Sequence, residues 1–579
     1  MLYKGLGVSP GIAIGKAFTI RSLSLEILDE RPSDPEEELQ RFMKAISSSV
    51  EELRRMREKA GREMGREAAA IFEAHIEMIE DPIFLERVKD RIRNGGVSAT
   101  YAVANVVNEL IDRLSNAKEG HFRERISDLM DVGGRILRHL GRPSKQIPSS
   151  IPNESIVVAY DLAPSITMHL PRDKVVGIAT DVGSQTSHTV ILAKALEIPA
   201  VVGLERITQV VKDGDTLILD GSDGIVIVNP DEELIRKYRS RYLSFLTWKK
   251  MLEGIRDLPA ETIDGHRVIL SANIEMEQEM ESLSRYGAHG IGLYRTEYLF
   301  IDRASLPSEE EQFEVYKRVA EMASPYPVTI RTVDIGGDKF VSYLDLPEEL
   351  NPFMGLRGIR LCLQRCDIFD TQIRAILKAS AFGKIRIMFP MISDVKELRD
   401  AKRRIGFIME DLSRKGIPFD DRLKIGAMIE VPSAALTARI LAKEADFLSI
   451  GTNDLIQYCL AVDRVNERVS YLYDPFHPSV LLLIRETVEA ARTAGIPVSV
   501  CGEMAGDPFS AALLVGLGVD ELSMSTSSIP AIKEMIRSTS YEELREMARK
   551  ALSMESGEEI RELIAERISG KFICQIPED

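Results

Sequence analysis

The sequence predicts a multidomain α/β chain: a small α/β domain interrupted by a bundle of helices, followed by a (β/α)8 barrel of the TIM type. Three observations carry that reading. The 579 residues exceed what one hydrophobic core organises, which sets an expectation of about three or four domains. Short β-branched runs lie on both sides of a purely helical stretch. Toward the C-terminus, eight apolar runs alternate with helical patterns, the texture of a parallel sheet wrapped in helices.

The elements follow in order. Residues 1–30, opening "MLYKGLGVSPGIAIGKAF", have strand character and form the first piece of the small α/β domain. Residues 31–145 read as helices throughout. "SDPEEELQRFMKAISSSVEELRRM" begins with a capping box of Ser33 and Glu36, with Pro35 in the first turn. Leu39, Phe42, Met43, Ile46, Val50, Leu53 and Met56 then recur at steps of three and four as one apolar stripe. A second helix, "AAAIFEAHIEMIED", stops at Asp81-Pro82, and further helices run to "VGGRILRHLG".

Residues 146–230 return to short strands: "IVVAYDLAPS", "VVGIATD", "IPAVVGL", and "DTLILDGSDGIVIVNP", a hairpin around Ser222-Asp223-Gly224. They complete the small domain begun by residues 1–30. Residues 231–258 are charged and helical and read as a linker. Residues 259–579 carry the eight barrel candidates: "RVILSANI", "GIGLYRTE", "VTIRTVDIGGD", "MGLRGIRL", "IRIMFPMI", "KIGAMIEVP", "DFLSIGTND" and "PVSVCGEMAG". The last of them ends at Cys501.

Composition narrows the function classes. The net charge of −16 argues against nonspecific nucleic-acid binding, so an anionic substrate needs a local cluster of Arg and Lys. The five cysteines, at 362, 366, 459, 501 and 574, include no CxxC pair, which speaks against structural zinc or a disulfide framework. The opening residues lack the unbroken apolar core of a signal peptide, and no apolar run is long enough to span a bilayer. The expectation is a cytoplasmic enzyme without membrane insertion.

The barrel runs end in Arg295, Arg331, Asp334, Lys339, Arg357, Glu430, Asn453, Asp454 and Cys501. Barrel active sites lie at the C-terminal ends of the strands. Arg295, Arg331 and Arg464, with Lys339 in "DIGGDK", gather positive charge suited to phosphate and carboxylate. Glu430 and Asp454 offer hard oxygen ligands to a divalent cation, and nearby phosphate favours Mg²⁺. Any one of these arginines also reads as a surface ion pair; the whole set at strand ends reads as a site for a small anion bearing phosphate and carboxylate. Cys501 reads either as a small buried hydrophobe or as an acid over the substrate.

In "TDVGSQTSHTVILAKALEIPAVVG", His188 opens a helix behind a loop of Gly, Ser and Thr. A helix N-terminus collects free N–H groups and partial positive charge, which suits a phosphoryl group carried on the imidazole. The plain alternative is an exposed histidine beside an N-cap. No GxxxxGK[ST] loop occurs.

These residues bring a family into view. "GSQTSHTVILAKALEIPAVVG" resembles the phosphohistidine signature of the phosphoenolpyruvate-utilising enzymes, and "DFLSIGTNDLIQYCLAVDR" resembles their second signature. "GVSPGIAIGKA", "AIFEAHIEMIED", "ERISDLMDVGGRILRHLG" and "GIGLYRTEYLF" narrow the resemblance to the Enzyme I family of the sugar phosphotransferase system, end to end. The resemblance implies phosphoenolpyruvate bound with Mg²⁺ on Glu430 and Asp454. It implies that Arg295, Arg331, Arg464, Asn453 and Asp454, with Arg357 and Lys339, hold the substrate.

It further implies that His188 is phosphorylated at Nε2 with Thr167 bonding the imidazole, and that Cys501 protonates the enolate to pyruvate. The phosphoryl group then passes to a histidine of the carrier protein HPr, docked on the helical residues 31–145, with His75 among the docking residues. Family members form homodimers through the barrel. Lys194 stands where the family usually has Arg and lacks its bidentate fork. The alternatives are a phosphoenolpyruvate synthase or pyruvate phosphate dikinase, which need a large ATP-binding domain, and the nitrogen-related paralogue of Enzyme I.

Overall fold

The computed structural model describes residues 1–9, 11–20, 34–63, 66–115, 122–141, 151–162, 170–171, 174–183, 190, 193, 198–301, 303, 305–336, 349–464, 466 and 468–568. The chain divides into two compact units, Met1–Thr247 and Trp248–Asp579.

The first unit holds an eight-stranded sheet and a set of helices. The strands are β1 (Leu2–Lys4), β2 (Leu6–Ser9), β3 (Ile12–Ile20), β4 (Ser155–Ala159), β5 (Val175–Thr180), β6 (Ala200–Val202), β7 (Thr216–Asp220) and β8 (Ile225–Val228). Their order is β1-β8-β7-β3-β4-β5-β6-β2. The strands β3 to β6 run parallel, and antiparallel pairs close both sides. Alternation sorts the side chains onto two faces. Val157, Ala159, Ile178, Ala200 and Val202 share one core, and Ile156, Val158, Ala179, Val201, Leu217 and Leu219 the other. A sheet buried on both faces reads as continuous β-branched runs, which is what the sequence displays here. The hairpin β7–β8 pairs Asp220 with Ile225, and Gly224 sits at its tip with φ +68°.

Five helices lie in sequence between the adjacent parallel strands β3 and β4: α1 (Pro35–Glu63), α2 (Arg66–Glu80), α3 (Pro82–Gly95), α4 (Ala99–Ser115) and α5 (Phe122–His139). Leu39, Phe42, Ile46, Val50, Leu53 and Met56 of α1 are buried against Phe72, Val88, Val103 and Ile136. Met43, expected on the same stripe, is 44% exposed, and Ser49 is buried instead with its hydroxyl donating to the Ala45 carbonyl at 2.8 Å. The buried line is therefore narrower than apolar spacing alone suggests. At the start of α1, Ser33 lies outside the described residues, and Asp34 accepts the Glu36 N–H at 2.9 Å. Asp81-Pro82 does end α2, and Asp81 caps α3 by accepting the Phe84 N–H at 2.8 Å.

His75 is fully buried, so it cannot meet a docked protein in this arrangement. Its Nε2 lies 3.1 Å from Asp128 and its Nδ1 3.7 Å from Asp131, both on α5. Its place is between helices: a histidine on an amphipathic helix, hydrogen-bonded to Asp128 with Asp131 nearby across the seam.

In the second unit, eight parallel strands close into a barrel: β9 (Ile269–Ile274), β10 (Ile291–Tyr294), β11 (Val328–Arg331), β12 (Ile385–Phe389), β13 (Lys424–Ile429), β14 (Phe447–Ile450), β15 (Val498–Val500) and β16 (Glu521–Met524). Two of the sequence expectations change. "MGLRGIRL" is not a strand: Gly358 has φ +57°, and the run enters a helix, Ile359–Gln364, whose Ile359, Leu361 and Cys362 are buried.

The eighth strand is instead "ELSM", 521–524, so Cys501 ends the seventh strand rather than the last. That strand hides from a hydrophobicity reading because it carries buried polar groups. Glu521 accepts from Ser271 at 2.6 Å and pairs with Arg386 at 3.4 Å, and the Ser523 hydroxyl donates to Asn273 at 2.7 Å. No described helix is long and apolar enough to cross a membrane.

Candidate active site at the barrel mouth

Arg295 follows β10, Arg331 ends β11, Glu430 follows β13 and Cys501 follows β15, so four of the expected residues emerge at the C-terminal ends of barrel strands. Asn453 and Asp454 lie one step further on, in the first turn of the helix Thr452–Leu460 that follows β14. Arg357 belongs to no strand; it reaches the mouth from the turn before the helix Ile359–Gln364.

The arginines do not sit free. Arg331 is 6% exposed, and its Nη2 donates to Glu297 at 2.9 Å, with Asp334 3.6 Å away. Arg357 grips Asp334 through Nε at 3.2 Å and Nη2 at 2.8 Å, donates from Nη1 to Tyr458 at 3.1 Å, and lies 3.5 Å from Asp454. Burial works against the charge on both guanidiniums. For Arg331 the carboxylates of Glu297, Asp334 and Glu430 outweigh it, and for Arg357 those of Asp334 and Asp454 do, so both are held firmly protonated. Arg295 pairs with Glu275, and Arg464, more exposed, lies 4.0 Å from Glu503. Asn453 exchanges hydrogen bonds with Glu503: its amide donates to the carboxylate at 3.1 Å and its oxygen accepts the Glu503 N–H at 2.9 Å.

Glu430 is 1% exposed, and one oxygen accepts the Met391 N–H at 2.5 Å. Burial, then Asp454 and Asp334, push its carboxyl well above the usual carboxylate range. Two hard carboxylates whose mutual repulsion a cation would relieve fit a small divalent ion. Among the described residues no group of three or more His, Cys, Asp or Glu could hold a metal alone.

Cys501 is buried among Leu293, Met388, Met428 and Phe447 inside the barrel. Its sulfur accepts from the Ser449 hydroxyl at 3.4 Å and approaches the Ile450 carbonyl at 3.7 Å. Burial pushes the thiol up to about 11, against the favourable bond from Ser449. The thiol packs as a small hydrophobe and stays protonated at neutral pH.

The sequence reading missed several residues of this site. Glu297, Tyr458, Gln372 and Ser449 went without a role, and Asp334 was named without one. Glu297 had a usable signal, an acidic residue two positions after Arg295 in "YRTE". Thr167, His188, Lys194 and Lys339 lie outside the described residues.

Comparison with known proteins is decisive at this point. Residues 249–541 match the PEP-binding domain of the PEP-utilising enzymes, residues 4–125 their N-terminal domain and residues 151–224 their mobile domain. The phosphoenolpyruvate-protein phosphotransferase of Staphylococcus carnosus is 43% identical over 563 residues, covering 97% of this chain and 98% of that protein. The chain belongs to the phosphoenolpyruvate-protein phosphotransferases. The member from Haemophilus influenzae is 44% identical over 567 residues, covering 98% of this chain and 99% of its own. A solution structure of an Enzyme I protein is 43% identical over 42% of this chain and 99% of that chain, with a TM-score of 0.34.

Proposed function

We propose that the chain transfers the phosphoryl group of phosphoenolpyruvate through His188 to a histidine of the carrier HPr, releasing pyruvate as the first step of sugar uptake by the phosphotransferase system. Family membership carries the activity. One observation carries the residue assignment: buried arginines and two carboxylates converge at the C-terminal mouth of a closed barrel.

Phosphoenolpyruvate brings a phosphate and a carboxylate. Arg331, Arg295 and Arg464 grip them, with the Asn453 amide beside Asp454 completing the cradle. Arg357 and Lys339 add positive charge at the edge. The fork geometry of arginine fixes the phosphate so that its bridging oxygen can leave in line. Glu430 and Asp454 would hold Mg²⁺, which would supply charge neutralisation for the transferring group. His188 Nε2 forms the new N–P bond as the P–O bond breaks, and that electron pair goes to the enolate oxygen. Thr167 holds the imidazole, and Lys194 contributes charge near the phosphoryl group. The enolate carbon then takes the proton of the Cys501 thiol to give pyruvate, and the thiolate recovers a proton from solvent.

The phosphorylated histidine must next reach HPr. We assign the docking region to residues 31–145, the histidine-bearing domain to residues 1–30 and 146–230, a linker to 231–258, and substrate binding and homodimerisation to 259–579. The resemblance supports a cytoplasmic location. The test is a rapid-mix assay with Mg²⁺ and phosphoenolpyruvate. Without carrier, pyruvate should appear as one burst of about one equivalent per site; with HPr it should continue steadily. Steady pyruvate release without any carrier contradicts the relay.

A further inference from the structure

We propose that Glu297 is a positioning residue for the phosphoryl-transfer step, acting through Arg331. The proposal rests on the reading of Arg331 as a phosphate ligand.

The geometry is specific. The tripeptide Arg295-Thr296-Glu297 follows β10 and reaches across to the end of β11. The Thr296 hydroxyl donates to the Arg331 carbonyl at 3.0 Å. One Glu297 oxygen accepts both the Arg331 Nη2 at 2.9 Å and the Asp334 backbone N–H at 3.0 Å. Backbone and guanidinium of Arg331 are thus held from one three-residue segment. That segment is itself braced: fully buried Gln372 donates to Thr296 at 3.1 Å and to Tyr316 at 3.1 Å, and accepts the Val333 N–H at 2.9 Å.

Glu297 takes only one corner of the guanidinium. The Arg331 Nε is buried with no hydrogen-bond partner among the described residues, and Nη1 has only the Met428 sulfur at 3.9 Å and Asp334 at 3.6 Å. With Nη2 pinned and Nε without a hydrogen-bond partner, the planar guanidinium is fixed in one orientation and keeps N–H groups for an incoming anion. Arg357 differs: each of its three guanidinium nitrogens donates a hydrogen bond, two to Asp334 and one to Tyr458.

The effect should fall on turnover. E297Q keeps the size and one acceptor oxygen but removes the charge that fixes Arg331. The mouth becomes more positive, so the KM for phosphoenolpyruvate should stay level or fall. The misaligned fork should lower kcat by about 10²-fold, the usual cost of an ångström-scale misplacement. E297D, one methylene shorter, should recover part of kcat.

The deciding experiment is a double-mutant cycle with R331K, measured as phosphoenolpyruvate-dependent kcat and KM. Transfer from phosphorylated HPr back to His188 and the unfolding temperature are followed on the same preparations. R331K alone should lose activity, and E297Q/R331K should be no worse than R331K within about threefold, because the residue through which Glu297 acts is already changed. Losses that multiply in the double variant overturn the proposal, as does an E297Q enzyme with wild-type kcat. If R331K itself keeps wild-type kcat/KM, the phosphate role of Arg331 fails and the positioning role falls with it. Should E297Q lose the back-transfer or unfold early, E297D supplies the same cycle.

Discussion

Replacing Cys501 by serine separates proton delivery from every other step. The thiol is buried and its pKa pushed up to about 11, so at pH 7.5 it is protonated. As the proposed donor, the thiol would hold its proton at neutral pH without help from a second group. Serine keeps the hydrogen bond from Ser449 in outline and leaves only a small void against Leu293, Met388, Met428 and Phe447. Phosphoenolpyruvate affinity and Mg²⁺ dependence should therefore survive. A hydroxyl is a far weaker acid, so pyruvate release should fall by roughly 10²- to 10⁴-fold, the share general acid catalysis usually contributes.

The pH dependence has a definite sign. The native thiol keeps its proton above the pH at which an unfolded thiol loses it. Its stabilising contribution is full below about pH 9 and declines from there toward 11. Alkylation of Cys501 in the native enzyme should be slow at pH 8 and accelerate toward pH 11. The assay is lactate-dehydrogenase-coupled pyruvate formation, run beside phosphate exchange between His188 and HPr. Wild-type pyruvate release by Cys501→Ser refutes the proton-donor role.

Asp454→Ala and Glu430→Ala should abolish Mg²⁺-dependent phosphorylation by phosphoenolpyruvate yet accept phosphate on His188 from phosphorylated HPr. Loss of that back-transfer in a folded variant would argue against a role confined to the barrel mouth. Far from the site, Asp264 accepts the Tyr541 N–H at 2.7 Å, the Glu542 N–H at 3.1 Å and the Ser540 hydroxyl at 2.8 Å, and so caps the helix Tyr541–Ala551 from another part of the chain. Asp264→Ala should cost about 1 kcal/mol in denaturant unfolding with no change in activity. The Thr262 hydroxyl and these N–H donors hold the Asp264 carboxyl far below the usual range. Its contribution is present above about pH 4 and lost as pH falls toward its native pKa.

The barrel was readable from alternating apolar runs and helices because most of its strands are buried on both faces. The count came out right for a partly wrong reason. "MGLRGIRL" has strand composition but a left-handed Gly358, and "ELSM" has strand geometry but a buried glutamate matched by Ser271 and Arg386. Hydrophobicity does not see a polar group whose partner lies 250 residues away. The same blindness hid Glu297: its meaning depends on Arg331 and the Asp334 backbone, on the neighbouring strand end. The arginines themselves were visible because strand ends can be located from pattern alone. Arg357 was assigned to a strand end that does not exist, yet its side chain reaches the mouth from a turn. His75 was given a surface role from resemblance, whereas Asp128 and Asp131 hold it inside the helical bundle.

The proposed relay stands or falls with His188 as carrier of the phosphoryl group. The most direct measurement is incubation with Mg²⁺ and ³²P-labelled phosphoenolpyruvate, followed by acid and base treatment and peptide mapping. The expected result is one acid-labile, base-stable label per chain on the peptide containing His188, absent from His188→Ala and discharged by HPr. Label on another residue, or undiminished labelling of His188→Ala, would contradict it.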